Sequence, residues 1–309
     1  MPTVETPHVR DLRPLYRAVV CARLPPEAPA CDAVLRRLPG EGPGDPPGAA
    51  LDVASRYRVA LVPGLFAECL EGFLRPFADV ESDLRRAGFT VHYLHVFGRG
   101  SIAENADRLA HELNALGGDP RPLVVFAHSK GLPDILEFVV RHPQGARMLA
   151  AIVGVAGAAN GSPLAEDLYP MYRDWIAGLP LPGCRAGSGE ELRDLQRDVR
   201  LAWWQRYRSA LTVPVFSLVA APHEDHVSPF LRAPYRRLAQ VDPRNDGQLL
   251  WHDQIVPGGY LLGYVDADHW RIVMPPRPAV PMLSDTVPRA VLVTGALEVV
   301  ARVLTARPP

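Results

Sequence analysis

The chain of 309 residues is long enough to bury a sizeable core, carries a formal net charge of -1 and is 48% hydrophobic. A single domain with an insertion accounts for that length better than two independent domains. Neither half is basic, so the footprint of a nucleic-acid binder is missing, and no apolar run approaches a membrane span, so stable membrane insertion is not expected.

Residues 1–50 read as an N-terminal extension. Positions 1–14 have no apolar stretch of the secretory kind, which leads to the expectation of a cytoplasmic protein. Helical patterns at 12–24 and 31–38 are separated by breakers, and the Pro/Gly-rich stretch 39–48 reads as a linker into a core at 51–309. Cys21, Cys31, Cys69 and Cys184 are scattered with no CxxC spacing. They read as ordinary buried thiols, with a Cys21–Cys31 pair open to an oxidising compartment.

The first strand is expected at 58–65, ending at Pro63 and Gly64. Residues 72–88 have helical spacing, with Phe73, Phe77, Val80 and Leu84 in one stripe and Gly88 as the stop. A strand at 89–97 follows, and Ser101 with Glu104 forms a capping box that opens a helix reaching about residue 116. Strands alternating with helices in this way build a parallel sheet through right-handed crossovers.

At 123–134 an apolar run stops at Ala127, His128, Ser129, Lys130 and Gly131, and a helical pattern begins. A strand that ends in a tight turn and passes straight into a helix pushes one side chain, here Ser129, into an exposed, strained position. Small residues must flank it, and Ala127 and Gly131 do. The helix start aims its amides and positive dipole end at any oxygen that develops charge beside Ser129.

A buried strand is expected at 148–158. Ser162 lies in the loop beyond it between Asn160 and Leu164, which are too large for a second elbow, so it reads as a helix N-cap. Residues 163–212 fit no strand and carry helical pieces around a breaker-rich loop. Trp175, Trp203, Trp204 and Tyr207 of this segment either line an apolar ligand site or pack it on the core. Beyond it come a strand at 213–221, a short helix at 234–239, a turn at Asn245, Asp246 and Gly247, a strand at 260–265, a loop with Asp266, Asp268 and His269, and an amphipathic helix at 287–306.

From about residue 57 onward the chain resembles the α/β-hydrolase superfamily, within it the bacterial lipase and esterase branch. The resemblance rests on residues 62–66, the elbow, residues 160–165, and the Asn245–Asp246–Gly247 turn followed by Asp268, His269 and Trp270. It implies a mostly parallel sheet flanked by helices with a helical cap inserted at 163–212, and a serine hydrolase that cleaves small-molecule or lipid-like carboxylic esters through an acyl-enzyme, without a cofactor. Ser129 would be the nucleophile. A serine hydroxyl needs an imidazole to take its proton, and that imidazole needs a carboxylate. Of ten histidines, only His269 stands between the last strand and the last helix. The acid has two candidate positions, Asp246 in the Asn-Asp-Gly turn, which is favoured, and Asp225 as the alternative.

By the same resemblance the backbone N–H groups of Leu65 and Lys130 would form the oxyanion hole, with Phe66 a fallback for Leu65. Pro63 replaces the histidine that usually precedes the glycine. Phe66, Trp203 and Trp204 would line the substrate pocket. No metal is expected: the run from His223 to His226 is too short to act as a HExxH helix. Some related lipases pin the histidine loop with calcium, at positions held here by Asp225 and Arg271. A cation cannot ligate calcium, so an Asp225–Arg271 ion pair is expected in its place. A thioesterase, an amidase or a polyester depolymerase would use the same machinery, and a non-catalytic protein of this fold could bind a hydrophobic ligand or a partner; an intact Ser, Asp and His set favours the enzyme.

Overall fold

The computed structural model describes residues 9–42, 48–49, 51–70, 72, 74–276 and 287–306. Its sheet contains β1 (Arg10–Asp11), β2 (Leu35–Arg36), β3 (Arg58–Val62), β4 (Val91–Tyr93), β5 (Leu123–His128), β6 (Leu149–Val155), β7 (Val215–Ala220) and β8 (Tyr260–Val265). The order is β1-β8-β7-β6-β5-β3-β4, parallel throughout, with β2 antiparallel on β8. Strands β3, β5, β7 and β8 are buried at every residue. Their near-continuous apolar runs, interrupted by Arg58, His128 and Ser217, are what a parallel sheet covered on both faces requires.

On one face, the N-terminal helix Arg13–Cys21 and the C-terminal helix Arg289–Ala306 pack through Tyr16, Val19, Val20, Leu292, Val293 and Ala296. On the other, helices Ile102–Asn114 and Gly131–Arg141 bury Leu109, Leu113, Leu132 and Leu136. Local signals set several ends. Ser101 accepts from the Glu104 amide while the Glu104 carboxylate accepts from the Ser101 amide. Gly88, at φ 87°, follows the helix Ala78–Arg86. Phe73, expected on that helix's stripe, and residues 43–47 of the expected 39–48 linker lie outside the described residues.

The N-terminal segment departs from the expected extension, because it supplies one edge of the sheet. Both β1 and β2 pair with β8, and the Tyr16 hydroxyl donates to the Leu292 carbonyl at 2.9 Å. Without them β8 would present unpaired backbone groups at an open edge. Two-residue strands carry no period, which is why the sequence pattern misses them.

The cysteines depart from the favoured reading as free thiols, although a Cys21–Cys31 pair is the alternative that the sequence leaves open. Cys21 is bonded to Cys31, with Cα atoms 5.4 Å apart, and Cys69 to Cys184, at 4.7 Å across 115 residues. The second bridge joins the short helix Ala67–Leu70 to the cap, a proximity that only the fold creates. Such bonds persist in oxidising compartments, and they lend the expected cytoplasmic location no support. Among the described residues no helix is long and apolar enough to cross a membrane.

Thiol titration of the unfolded protein should find no free sulfhydryl before reduction and four after it. In the chain-entropy picture the longer loop contributes on the order of 4 to 5 kcal/mol and the shorter about 3 kcal/mol. The Cys69→Ser/Cys184→Ser pair should therefore lower Tm more than Cys21→Ser/Cys31→Ser.

Candidate active site

Ser129 sits between β5 and the helix Gly131–Arg141 with φ 51°, a left-handed conformation rarely taken by a residue with a side chain. The turn is held by close packing on the end of β3. A Cβ added at Gly131 would stand 2.5 Å from the Pro63 carbonyl oxygen and 2.9 Å from that of Val62. At Gly64 it would stand 2.8 Å from the Ser129 Cβ. Both glycines are therefore required by contact with backbone or with Ser129 itself.

The structure brings together Ser129, His269 and Asp246. Ser129 Oγ lies 2.9 Å from His269 Nε2, and His269 Nδ1 lies 2.7 Å from Asp246 Oδ2. All three are buried. The other carboxylate oxygen of Asp246 accepts from the amides of Gln248 (2.8 Å) and Leu249 (2.7 Å), and the His269 amide donates to the Asp246 carbonyl at 3.0 Å. Gly247 makes the turn possible with φ 91°. Asp225 stays away from this group, its side chain 80% exposed and its carboxylate 4.0 Å from His226 Nε2. The ion pair expected between Asp225 and Arg271 gives way to a backbone contact: Arg271 Nη1 donates to the His226 carbonyl at 2.5 Å.

Phe66, with φ 62°, gives its N–H to the Gly98 carbonyl at 2.7 Å, which removes it as an oxyanion donor. Leu65 N–H and Lys130 N–H meet no acceptor among the described residues. The loop is pinned again where the Glu68 carboxylate accepts from the Gly98 amide at 2.8 Å. Lys130 is fixed from below by its own side chain: Nζ is 2.6 Å from Asp134 Oδ1, and Asn105 donates to Asp134 Oδ2 at 2.9 Å. Burial pushes the Asp134 carboxyl up to about 6, with Lys130 and Asn105 opposing that shift.

Three further supports surround the site. His128 Nε2 donates to the His269 carbonyl at 2.9 Å, and burial, reinforced by His269, holds the His128 pKa well below its usual value and so keeps the ring neutral. The Asp268 carboxylate receives the amides of Ser228, Trp270 and Arg271, so it braces the loop that carries His269. Leu65, Ala158, Ala165, Leu192, Leu195 and Leu249 gather in one apolar cluster beside the Leu65 amide. A helix-period signal shows only which of these residues are apolar, not that four distant segments meet.

Two of the three cap tryptophans make packing contacts, whereas Trp175 is 76% exposed. Trp204 is 5% exposed and donates from Nε1 to the Ala159 carbonyl at 2.8 Å. Trp203 donates to Glu137 at 2.6 Å and meets Trp204 edge-on at 5.0 Å. Both pack into the core between the cap and the helix Gly131–Arg141, away from the pocket role expected of them. Phe66 meets Tyr172 of the cap edge-on at 6.2 Å.

This architecture aligns over nearly its whole length with a metagenomic carboxyl esterase, MGS0156, at 33% identity, 98% of this chain, 96% of that one and a TM-score of 0.88. The chain belongs to the α/β-hydrolase superfamily, in its lipase and esterase branch. More distant members of the fold share the hydrolase's frame. The mature Bacillus licheniformis lipase BlEst2 matches at 19% identity, 73% of this chain and 89% of that one, TM-score 0.56. Lipase 1 from Pelosinus fermentans matches at 13% identity, 82% and 99%, TM-score 0.54. No protein-family model and no curated protein matches the hydrolase.

In this hydrolase, Trp204→Ala should cost about 3–5 kcal/mol, the usual effect of emptying a large buried aromatic site, read as a fall in Tm. Asp253, beside the acid turn, gives a pH signature. It is 1% exposed, neither carboxylate oxygen has a hydrogen-bond partner among the described residues, and Arg197 Nε lies 3.3 Å away. Burial pushes its carboxyl up to about 7, from 3.8, partly offset by Arg197. Between these values the folded state holds a proton that the unfolded chain has lost, so this group's contribution to stability falls as pH rises from about 4 to about 7. Asp253→Asn removes that dependence. The Tm difference between variant and wild type should grow in the variant's favour across that window; a constant difference would refute the assignment.

Proposed function

We propose that the chain is a serine hydrolase that cleaves carboxylic esters through an acyl-enzyme, with Ser129, His269 and Asp246 as its triad. The observation that carries this reading is the continuous hydrogen-bonded relay from Ser129 Oγ through both ring nitrogens of His269 to Asp246. As Oγ attacks the ester carbonyl carbon, its proton passes to Nε2. Asp246 holds the Nδ1–H tautomer and stabilises the imidazolium. The developing oxyanion is received by the amides of Leu65 and Lys130, whose position at the helix start adds the positive end of its dipole. Collapse expels the alcohol with the proton from His269, leaving Ser129 acylated. Water, deprotonated by the same imidazole, then releases the acid.

Carboxylic esters are the class that MGS0156 is named for. Ser129→Ala should lower turnover of a short p-nitrophenyl ester on the order of 10^4-fold or more with Tm nearly unchanged, and a fluorophosphonate should label Ser129. Asp246→Asn should cost roughly 10^3 to 10^4 in kcat by placing His269 in the wrong tautomer, whereas Asp225→Asn should leave kcat within about twofold of wild type. Labelling at another serine, or a larger loss from Asp225→Asn, would end the assignment.

A further inference from the structure

We infer that His223, His226 and Asp266 form a binding site for a divalent transition-metal ion, Zn²⁺ in particular, separate from the Ser129 relay. Read along the chain, the segment from His223 to His226 is too short to act as a HExxH helix, and the fold brings a third ligand to its two histidines from Asp266, the residue after β8. One ligand atom from each of the three residues lies within 4.8 Å of the other two. His223 Nδ1 is 2.7 Å and His226 Nδ1 3.0 Å from Asp266 Oδ2.

The backbone explains the convergence. Glu224–His226 is a single 3-10 turn, closed by the His226 amide on the His223 carbonyl at 3.0 Å. In that geometry residues three apart stand above one another, so both imidazoles turn the same edge toward one carboxylate. Asp266 is oriented as a ligand is. Its Oδ1 accepts from the His223 amide at 2.8 Å, and its own amide donates to the Val34 carbonyl at 2.9 Å. Its side chain is 1% exposed while the imidazoles are 54% and 46% exposed, giving a fixed anionic floor and two adjustable nitrogen ligands open to solvent.

Bonds of about 2.0–2.2 Å at tetrahedral angles put ligand atoms roughly 3.4 Å apart. The present separations need to open by about half an ångström, a movement available to exposed rings on a one-turn loop. Two imidazoles and one carboxylate select zinc and its neighbours over calcium, which prefers six or more oxygens. The open side leaves room for water as a fourth ligand. Metal binding exchanges the Nδ1–H tautomer of each neutral ring for the Nε2–H tautomer, so each Nδ1 offers its lone pair. The ion would clamp the loop after β7 to the loop after β8, three residues before His269 and next to the Asp268–Ser228 contact. Its role is to position that loop, not to touch the reacting atoms.

The test is calorimetric titration of Zn²⁺ into chelator-stripped full-length protein, alongside Tm. One site should appear, with Tm rising as Zn²⁺ is added. His223→Ala and His226→Ala, both at exposed positions, should each weaken binding at least tenfold and abolish the Tm rise, and Ca²⁺ should give neither. X-ray absorption at the zinc edge should report two imidazole ligands. The proposal is overturned if stripped protein takes up no Zn²⁺, or if the His223→Ala/His226→Ala double variant binds it as tightly as wild type. In either case the three side chains are a hydrogen-bonded trio alone.

Discussion

The site depends on one close approach, that of the elbow backbone to the end of β3. With the Pro63 carbonyl 2.5 Å from where a Gly131 Cβ would be, the helix start is driven down onto the strand, and the chain can pass from β5 into the helix only through a left-handed residue. Ser129 takes that conformation at φ 51°. Residues held so cost on the order of 1–3 kcal/mol each and persist only where the surroundings over-determine them. Here the surroundings are the buried ladder of β3, β5 and β6 on either side. Stability in the sheet thus offsets strain at its rim, and the strain keeps the hydroxyl within 2.9 Å of His269.

The rim is held with similar redundancy on the cap side. Arg99, 2% exposed, donates to the carbonyls of Ile176 (2.6 Å) and Leu179 (2.7 Å). The Ile102 amide donates to Asp194 at 2.7 Å. Together with the Cys69–Cys184 bond and the two indole contacts, these tie the cap to the loop bearing Leu65 and to the core helices. Each is a buried or partly buried polar contact, a kind that costs most to leave unmade.

Much of this was legible because it is local. The elbow, the Ser101 capping box, the Asn245–Asp246–Gly247 turn and the largely apolar strands are each written within a few neighbouring residues. What escaped depends on distant parts meeting. The period that marks a strand cannot appear in Arg10–Asp11 or Leu35–Arg36, which become strands only because β8 is there to pair with. Spacing cannot show that Cys69 and Cys184 meet across 115 residues, nor that Asp266 faces His223 and His226. The tryptophans of the cap were ambiguous for another reason. An indole suits a ligand pocket and a packed interface equally, and only the partner of its N–H, here Ala159 or Glu137, tells them apart.

The pairing of the first strand with the last bears on how the chain folds. β3 to β6 can assemble from neighbouring segments as they are made, but the helix Arg13–Cys21 and β1 find their partners only when residues 260–306 exist. Arg10 and Tyr260, bonded side chain to side chain at 2.6 Å, are 250 residues apart. Loop closure over such a span is slow more than it is costly, since its entropy grows only with the logarithm of length. Until it happens, the apolar face of the N-terminal helix and the edge of β8 are both uncovered, the two features that make a folding intermediate associate with its neighbours. The exposed interval ends only when the two ends of the polypeptide meet.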